Sequence, residues 1–93
     1  MEREVEILNE LGLHARPAAE FVRCVRRFES VVFIVRDGQR FSAGSIIDIL
    51  TANLDCGARV QLEAIGPDAE ATLDRLCGLL VELRDEEKSN RLR

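Results

Sequence analysis

The segment Gly12-Leu13-His14-Ala15-Arg16-Pro17-Ala18 concentrates the groups of this chain that could do chemistry. His14 is the only histidine among 93 residues, so any step that needs an imidazole must use it. A neutral imidazole is a nucleophile near physiological pH. Pro17 suits the first turn of a helix, where a missing N–H costs nothing. That turn exposes unpaired N–H groups and the positive end of the helix dipole, which together stabilise an anion. Arg16, two residues from the imidazole, supplies a planar cation with several donors. Imidazole, helix start and arginine make a place to hold a phosphoryl group bonded to a ring nitrogen. The same spacing also accommodates a solvated loop histidine, or one packed at a strand–helix junction.

The elements around this segment follow from periodicity. Glu4, Val5, Glu6 and Ile7 alternate, the pattern of a half-buried strand over 3–8, and Gly12 breaks it. Ala18, Phe21, Val22, Val25 and Phe28 form a helical apolar stripe, with Ser30 as its end. Val31 to Val35 is an unbroken apolar run, too short for a helix, and reads as a well-covered strand. Asp37-Gly38 signals a two-residue hairpin, with the return strand over 39–43. Ser45 opens a second helix, with Asp48 placed as in a capping box and Ile46, Ile47, Ile49, Leu50 and Leu54 as apolar content. Gly57 closes that segment, and residues 59–65 alternate as a strand with one wet face. After the Gly66-Pro67 turn, Asp68 can cap a last helix striped by Ala69, Leu73, Leu76, Leu80 and Leu83. From Arg84 the chain is charged, and residues 85–93 are expected to fray.

The order is therefore β-α-β-β-α-β-α, and one domain over 1–93 is expected. The fold class is α+β: an open-faced β-sandwich whose four-stranded antiparallel sheet carries three helices on one face. The other face stays open to water, so part of the Val31, Phe33, Val35 row must point outward.

Composition excludes several classes. The chain has 13 basic and 17 acidic residues, a net charge of −4, no Trp or Tyr and only four Phe. It has neither the charge nor the stacking platform for nucleic acid. The charged start leads into no apolar signal region, and no apolar run could span a membrane. Cys24, Cys56 and Cys77 are odd in number and unclustered, so free thiols in a reducing cytoplasm are expected, with no metal site and no cofactor. The charge is uneven. Residues 16–40 carry six arginines against three acidic residues, while the remainder carries seven basic against fourteen acidic. Arg16, Arg23 and Arg27, with Arg26 beside them, fall near one helical face. A basic side around His14 suits docking to an acidic protein surface.

The heptapeptide at 12–18 resembles the active-site signature of HPr, the histidine-containing phosphocarrier family of the bacterial sugar phosphotransferase system. The resemblance runs from about residue 3 to residue 84 and includes Gly38, Ser45 and Gly57. It implies a carrier, not an enzyme. Enzyme I, charged by phosphoenolpyruvate, would pass a phosphoryl group to Nδ1 of His14, and an enzyme IIA domain would receive it. Arg16 would contact the phosphoryl group, and main-chain N–H groups at the helix start would donate to its oxygens. The chain has no Gly-rich phosphate loop, which suits a phosphate that arrives from a protein. The resemblance also implies a docking surface joining the first two helices: Ala15, Arg16, Ala19, Arg23, Arg26, Ile46, Ile47 and Leu50. Core packing is the alternative role for Ile46 and Ile47.

In one branch of the family the serine matching Ser45 is phosphorylated by a dedicated kinase, which recruits a transcription regulator. This chain departs from that branch at Gly44, in lacking methionines over 46–50, and in carrying Asp48. A simple N-cap role for Ser45 is the competing expectation. Two cellular roles are open: a carrier feeding sugar uptake, and a nitrogen-type regulatory carrier not coupled to transport, to which the segment Ser45 to Asp68, especially Ala64-Ile65-Gly66-Pro67, looks somewhat closer. A monomer is the default, since no clear self-association patch is visible.

Overall fold

Alternation in sequence becomes alternation in burial. The computed structural model describes every residue except Leu11, His14, Leu92 and Arg93, and of Asn90 and Arg91 only the backbone. Strand β1 (Glu2–Glu6) exposes every second residue, and strand β4 (Arg59–Ile65) does so except at Glu63, which is half-buried. Strands β2 (Val31–Arg36) and β3 (Gln39–Ser42) complete a sheet of order β1-β4-β2-β3, antiparallel at every pairing. Its register sets Val5 opposite Val60, Ile34 opposite Leu62 and Val32 opposite Ala64. Val32, Ile34, Val60, Leu62 and Ala64 point to the inner face and are buried. Helices α1 (Ala15–Val25) and α3 (Ala69–Arg91) contribute Phe21, Val22, Val25, Leu73, Leu76 and Leu80 to the same core. The short helix α2 (Ile46–Ala52) adds Ile49 and Ala52. The expected α+β fold, with its helices on one face of the sheet, is the one observed.

On the open face Val31 stands exposed opposite Ile65, and Phe33 is covered by the Arg40 guanidinium, 4.1 Å from the ring centroid. Arg40 also pairs with Glu63. The hairpin between β2 and β3 turns at Asp37 (φ +50°) and Gly38 (φ +79°), two consecutive left-handed residues as a tight hairpin of this kind requires.

Three helix ends differ from the expectation. Helix α1 stops at Val25 rather than Ser30. The N–H groups of Arg27 and Phe28 bond three residues back, and those of Glu29 and Ser30 go to the carboxylate of Asp68, each at 2.9 Å. Asp68 sits at the start of α3, and its carbonyl accepts the Thr72 N–H. Its carboxylate serves the chain before β2, and within α3 it accepts the Thr72 hydroxyl at 3.4 Å. Helix α2 ends at Asn53, in the left-handed region, not at Gly57. Helix α3 continues through the charged stretch expected to fray, as far as Arg91. That stretch contains no Gly or Pro and is rich in strong helix formers.

Candidate functional site at the start of the first helix

The chain reaches α1 through residues 7–13, and their backbone bonds explain its path. Ile7 is buried and exchanges bonds with the α2–β4 connection: its N–H donates to the Ala58 carbonyl at 2.9 Å, and its carbonyl accepts the Gly57 N–H at 2.8 Å. The Gly12 N–H turns back to the Asn9 carbonyl at 3.0 Å, and the Leu13 N–H donates to the Leu54 carbonyl at 2.9 Å. Gly12 is obligatory. Its φ is +75°, and a Cβ there would lie 2.3 Å from the Leu54 carbonyl oxygen. The Leu13 side chain is buried and anchors the loop. His14 follows in sequence and lies outside the described residues.

Ala15 opens α1 with φ +47°, an uncommon conformation for a residue with a Cβ. Pro17 is the third residue of the helix, inside the first turn, where no intrahelical N–H bond is lost. The N–H groups of this turn are the donors available to an anion. The side chain of Arg16 is 74% exposed, and its Nε donates to Glu20 at 3.1 Å. Exposed pairs of this spacing are worth only roughly 0.3–0.5 kcal/mol. The Arg16 guanidinium can therefore leave Glu20 at little cost.

Around this point the expected docking residues divide. Ala15, Arg16 and Arg23 are exposed, and Ala19 is half-buried. On α2, Ile46, Ile47 and Leu50 are 43%, 75% and 47% exposed, so none belongs to the core. Arg26 also supports the fold. It donates twice to the Gly44 carbonyl, at 3.2 and 3.0 Å, tying the end of α1 to the segment before α2. Ser45 accepts the Asp48 N–H at 3.4 Å, as an N-cap should. The reciprocal half of a capping box is missing, because the Asp48 carboxylate takes the Ser42 N–H at 3.0 Å.

The arginines of residues 16–40 do not gather on one side. Arg36 donates to the Ala52 and Asn53 carbonyls at the end of α2, and Arg40 lies on the open sheet face. Arg23 and Arg27 line a groove between α1 and α3 that also holds Arg75 and the acidic Glu20, Glu82 and Glu86. Cys24 lies at that groove, and burial raises its thiol pKa above the ordinary range. Hydrogen bonding and charge from Arg75 hold Glu82 below the usual carboxylate range. Of the six arginines of residues 16–40, Arg16, Arg23, Arg26 and Arg27 thus lie on α1 and the turn after it. Sequence patterning missed two supports of the site: the Leu54 carbonyl, and the buried Asn9 at the root of the loop. Main-chain carbonyls leave no sequence signal, and an asparagine beside a turn looks like a solvated one.

A family model described as "PTS HPr component phosphorylation site" matches residues 1–82. The chain belongs to the HPr family. Proteins of this family are phosphoryl carriers rather than enzymes, and they work with enzyme I and enzyme IIA. The chain is 38% identical to phosphocarrier protein HPr of Treponema pallidum over 85 residues, covering 91% of this chain and 97% of that one. It is 36% identical to phosphocarrier protein NPr of Shewanella violacea, with 92% and 94% covered. Among solved structures, HPr of Thermoanaerobacter tengcongensis superposes with a TM-score of 0.80 at 36% identity, covering 94% of this chain and 93% of the other. The chain is thus an HPr-family phosphocarrier of the phosphotransferase system. No helix among the described residues is long and apolar enough to cross a membrane.

Proposed function

We propose that this chain accepts a phosphoryl group from phospho-enzyme I on Nδ1 of His14 and passes it to an enzyme IIA domain of a sugar phosphotransferase system. The supporting observation is the loop pinned to the Leu54 carbonyl, which leads through His14 directly into the open first turn of α1 beside an exposed arginine. Arg16 leaves Glu20 to contact the phosphoryl oxygens, and the first-turn N–H groups donate to them. Ala15, Ala19, Arg23 and Arg26 with Ile46, Ile47 and Leu50 form the docking surface, an apolar centre with a basic rim. The chain acts as a monomer in the cytoplasm, as one domain.

The second role is that of a nitrogen-type regulatory carrier: the chain is 36% identical to the NPr relative and 38% identical to the HPr relative, so each role has a relative of similar likeness. Incubating the phosphorylated chain with a sugar-specific enzyme IIA and with a nitrogen-type one separates the two roles. Faster transfer to the sugar-specific acceptor supports the first role, and faster transfer to the other supports the second.

Ser45 serves as an N-cap in this reading. A serine kinase and a transcription regulator are the partners of the alternative, in which phosphate on Ser45 adds about two negative charges to the docking face. The Asp48 carboxylate, three residues on, would oppose that charge.

A further inference from the structure

Helix α3 extends past the residues that the family model matches. The family match ends at residue 82, whereas α3 continues to Arg91. Leu76, Leu80 and Leu83 form the buried stripe of this helix. The next position on that stripe, one turn after Leu83, is Glu87. There the helix has met the loop that leads to His14. The Glu87 Oε1 accepts the Glu10 N–H at 2.6 Å, and the Glu87 side chain is half-buried. A carboxylate acceptor makes this a charge-assisted bond.

The loop needs outside support. The Asn9 side chain is fully buried, and neither of its amide atoms has a partner among the described residues. Besides the turn from Gly12 back to Asn9, bonds reach this stretch from other elements: the Leu54 carbonyl accepts the Leu13 N–H, and Glu87 accepts the Glu10 N–H. The two anchors lie on either side of Leu11 in sequence, one to each flank of the approach to His14.

We infer that Glu87 is a positioning residue for phosphoryl transfer: the extension of α3 latches the loop that carries His14. This rests on His14 being the phosphoryl acceptor. Glu87 does not touch the phosphoryl group in this scheme. It acts by limiting the positions the loop can take, so that the imidazole meets the donor in line and does so often.

The test pairs amide hydrogen exchange with the rate of phosphorylation by phospho-enzyme I, for the wild type, Glu87→Ala and Glu87→Gln. Glu87→Ala should speed exchange of the Glu10 amide about tenfold and slow phosphorylation by a similar factor, with little change in the melting midpoint. Glu87→Gln keeps an acceptor oxygen and should recover most of both losses. Unchanged Glu10 exchange in Glu87→Ala would overturn the latch. So would slowed transfer in both variants with Glu10 still protected, because the charge rather than the bond would then matter. If the wild type itself takes no phosphate, the acceptor reading fails instead, and the Glu10 exchange comparison still decides whether the latch exists.

Discussion

Gly12 and Arg16 stand within five residues of each other and do opposite kinds of work. Gly12 is structural: no side chain fits between its backbone and the Leu54 carbonyl, and its φ is left-handed. Gly12→Ala should cost at least about 2 kcal/mol in chemical denaturation, through strain and displacement of the α2–β4 connection. Arg16 is exposed and pairs with Glu20 at the surface. Arg16→Glu should slow phosphoryl transfer roughly tenfold to a hundredfold while changing stability by no more than roughly 0.5 kcal/mol. A stopped-flow transfer assay beside a melting curve checks both halves, and unchanged transfer would remove Arg16 from the site. Residue types in the 12–18 segment are enough to suggest this chemistry, because an imidazole, a guanidinium and a helix start have known affinities for phosphate. Asn9 and Glu87 are not legible in the sequence, because their roles depend on what the folded chain brings to them.

At the scale of elements, the connection into β2 and the start of α3 share one carboxylate. Asp68 accepts the Glu29 and Ser30 N–H groups and the Ser30 hydroxyl. The Ser30 hydroxyl and those N–H groups hold its pKa below the ordinary carboxylate value. A depressed folded pKa means the ionised form binds the native state better. Its stabilisation is complete above the unfolded value near ~3.9 and fades as pH falls toward the folded value. Asp68→Asn should flatten the acid limb of a stability-versus-pH curve, and an unaltered limb would show that other carboxylates dominate it. This arrangement also explains why helical bonding does not run on to Ser30: the apolar stripe reaches Phe28, but the N–H groups of Glu29 and Ser30 have a carboxylate acceptor on another element. Order and type of all seven elements are readable from periodicity. Helix ends are less so, because long-range acceptors set them. On α2 the sequence could not separate core from surface for Ile46 and Ile47, and the structure exposes both while burying Ile49. Ile47→Glu should raise the KM for phospho-enzyme I about tenfold with little effect on melting. An unchanged KM would place docking elsewhere.

For the whole molecule, the open-faced arrangement assigns separate duties to its parts. The sheet and all three helices bury the core, while Arg16 and Arg23 on α1 and Ile46, Ile47 and Leu50 on α2 stand exposed. The net charge of −4 conceals this division, since the arginines on α1 lie on an otherwise acidic chain. Two of the six arginines from residues 16–40 serve the scaffold away from α1, a distribution that counting charges along the chain could not resolve. In the proposed relay one histidine, His14, carries the phosphoryl group. Incubation with enzyme I and phosphoenolpyruvate, followed by intact-mass measurement before and after mild acid, tests it most directly. The predicted result is a single acid-labile phosphate, absent in His14→Ala. An acid-stable phosphate, or none at all with an enzyme I known to be competent, would contradict it.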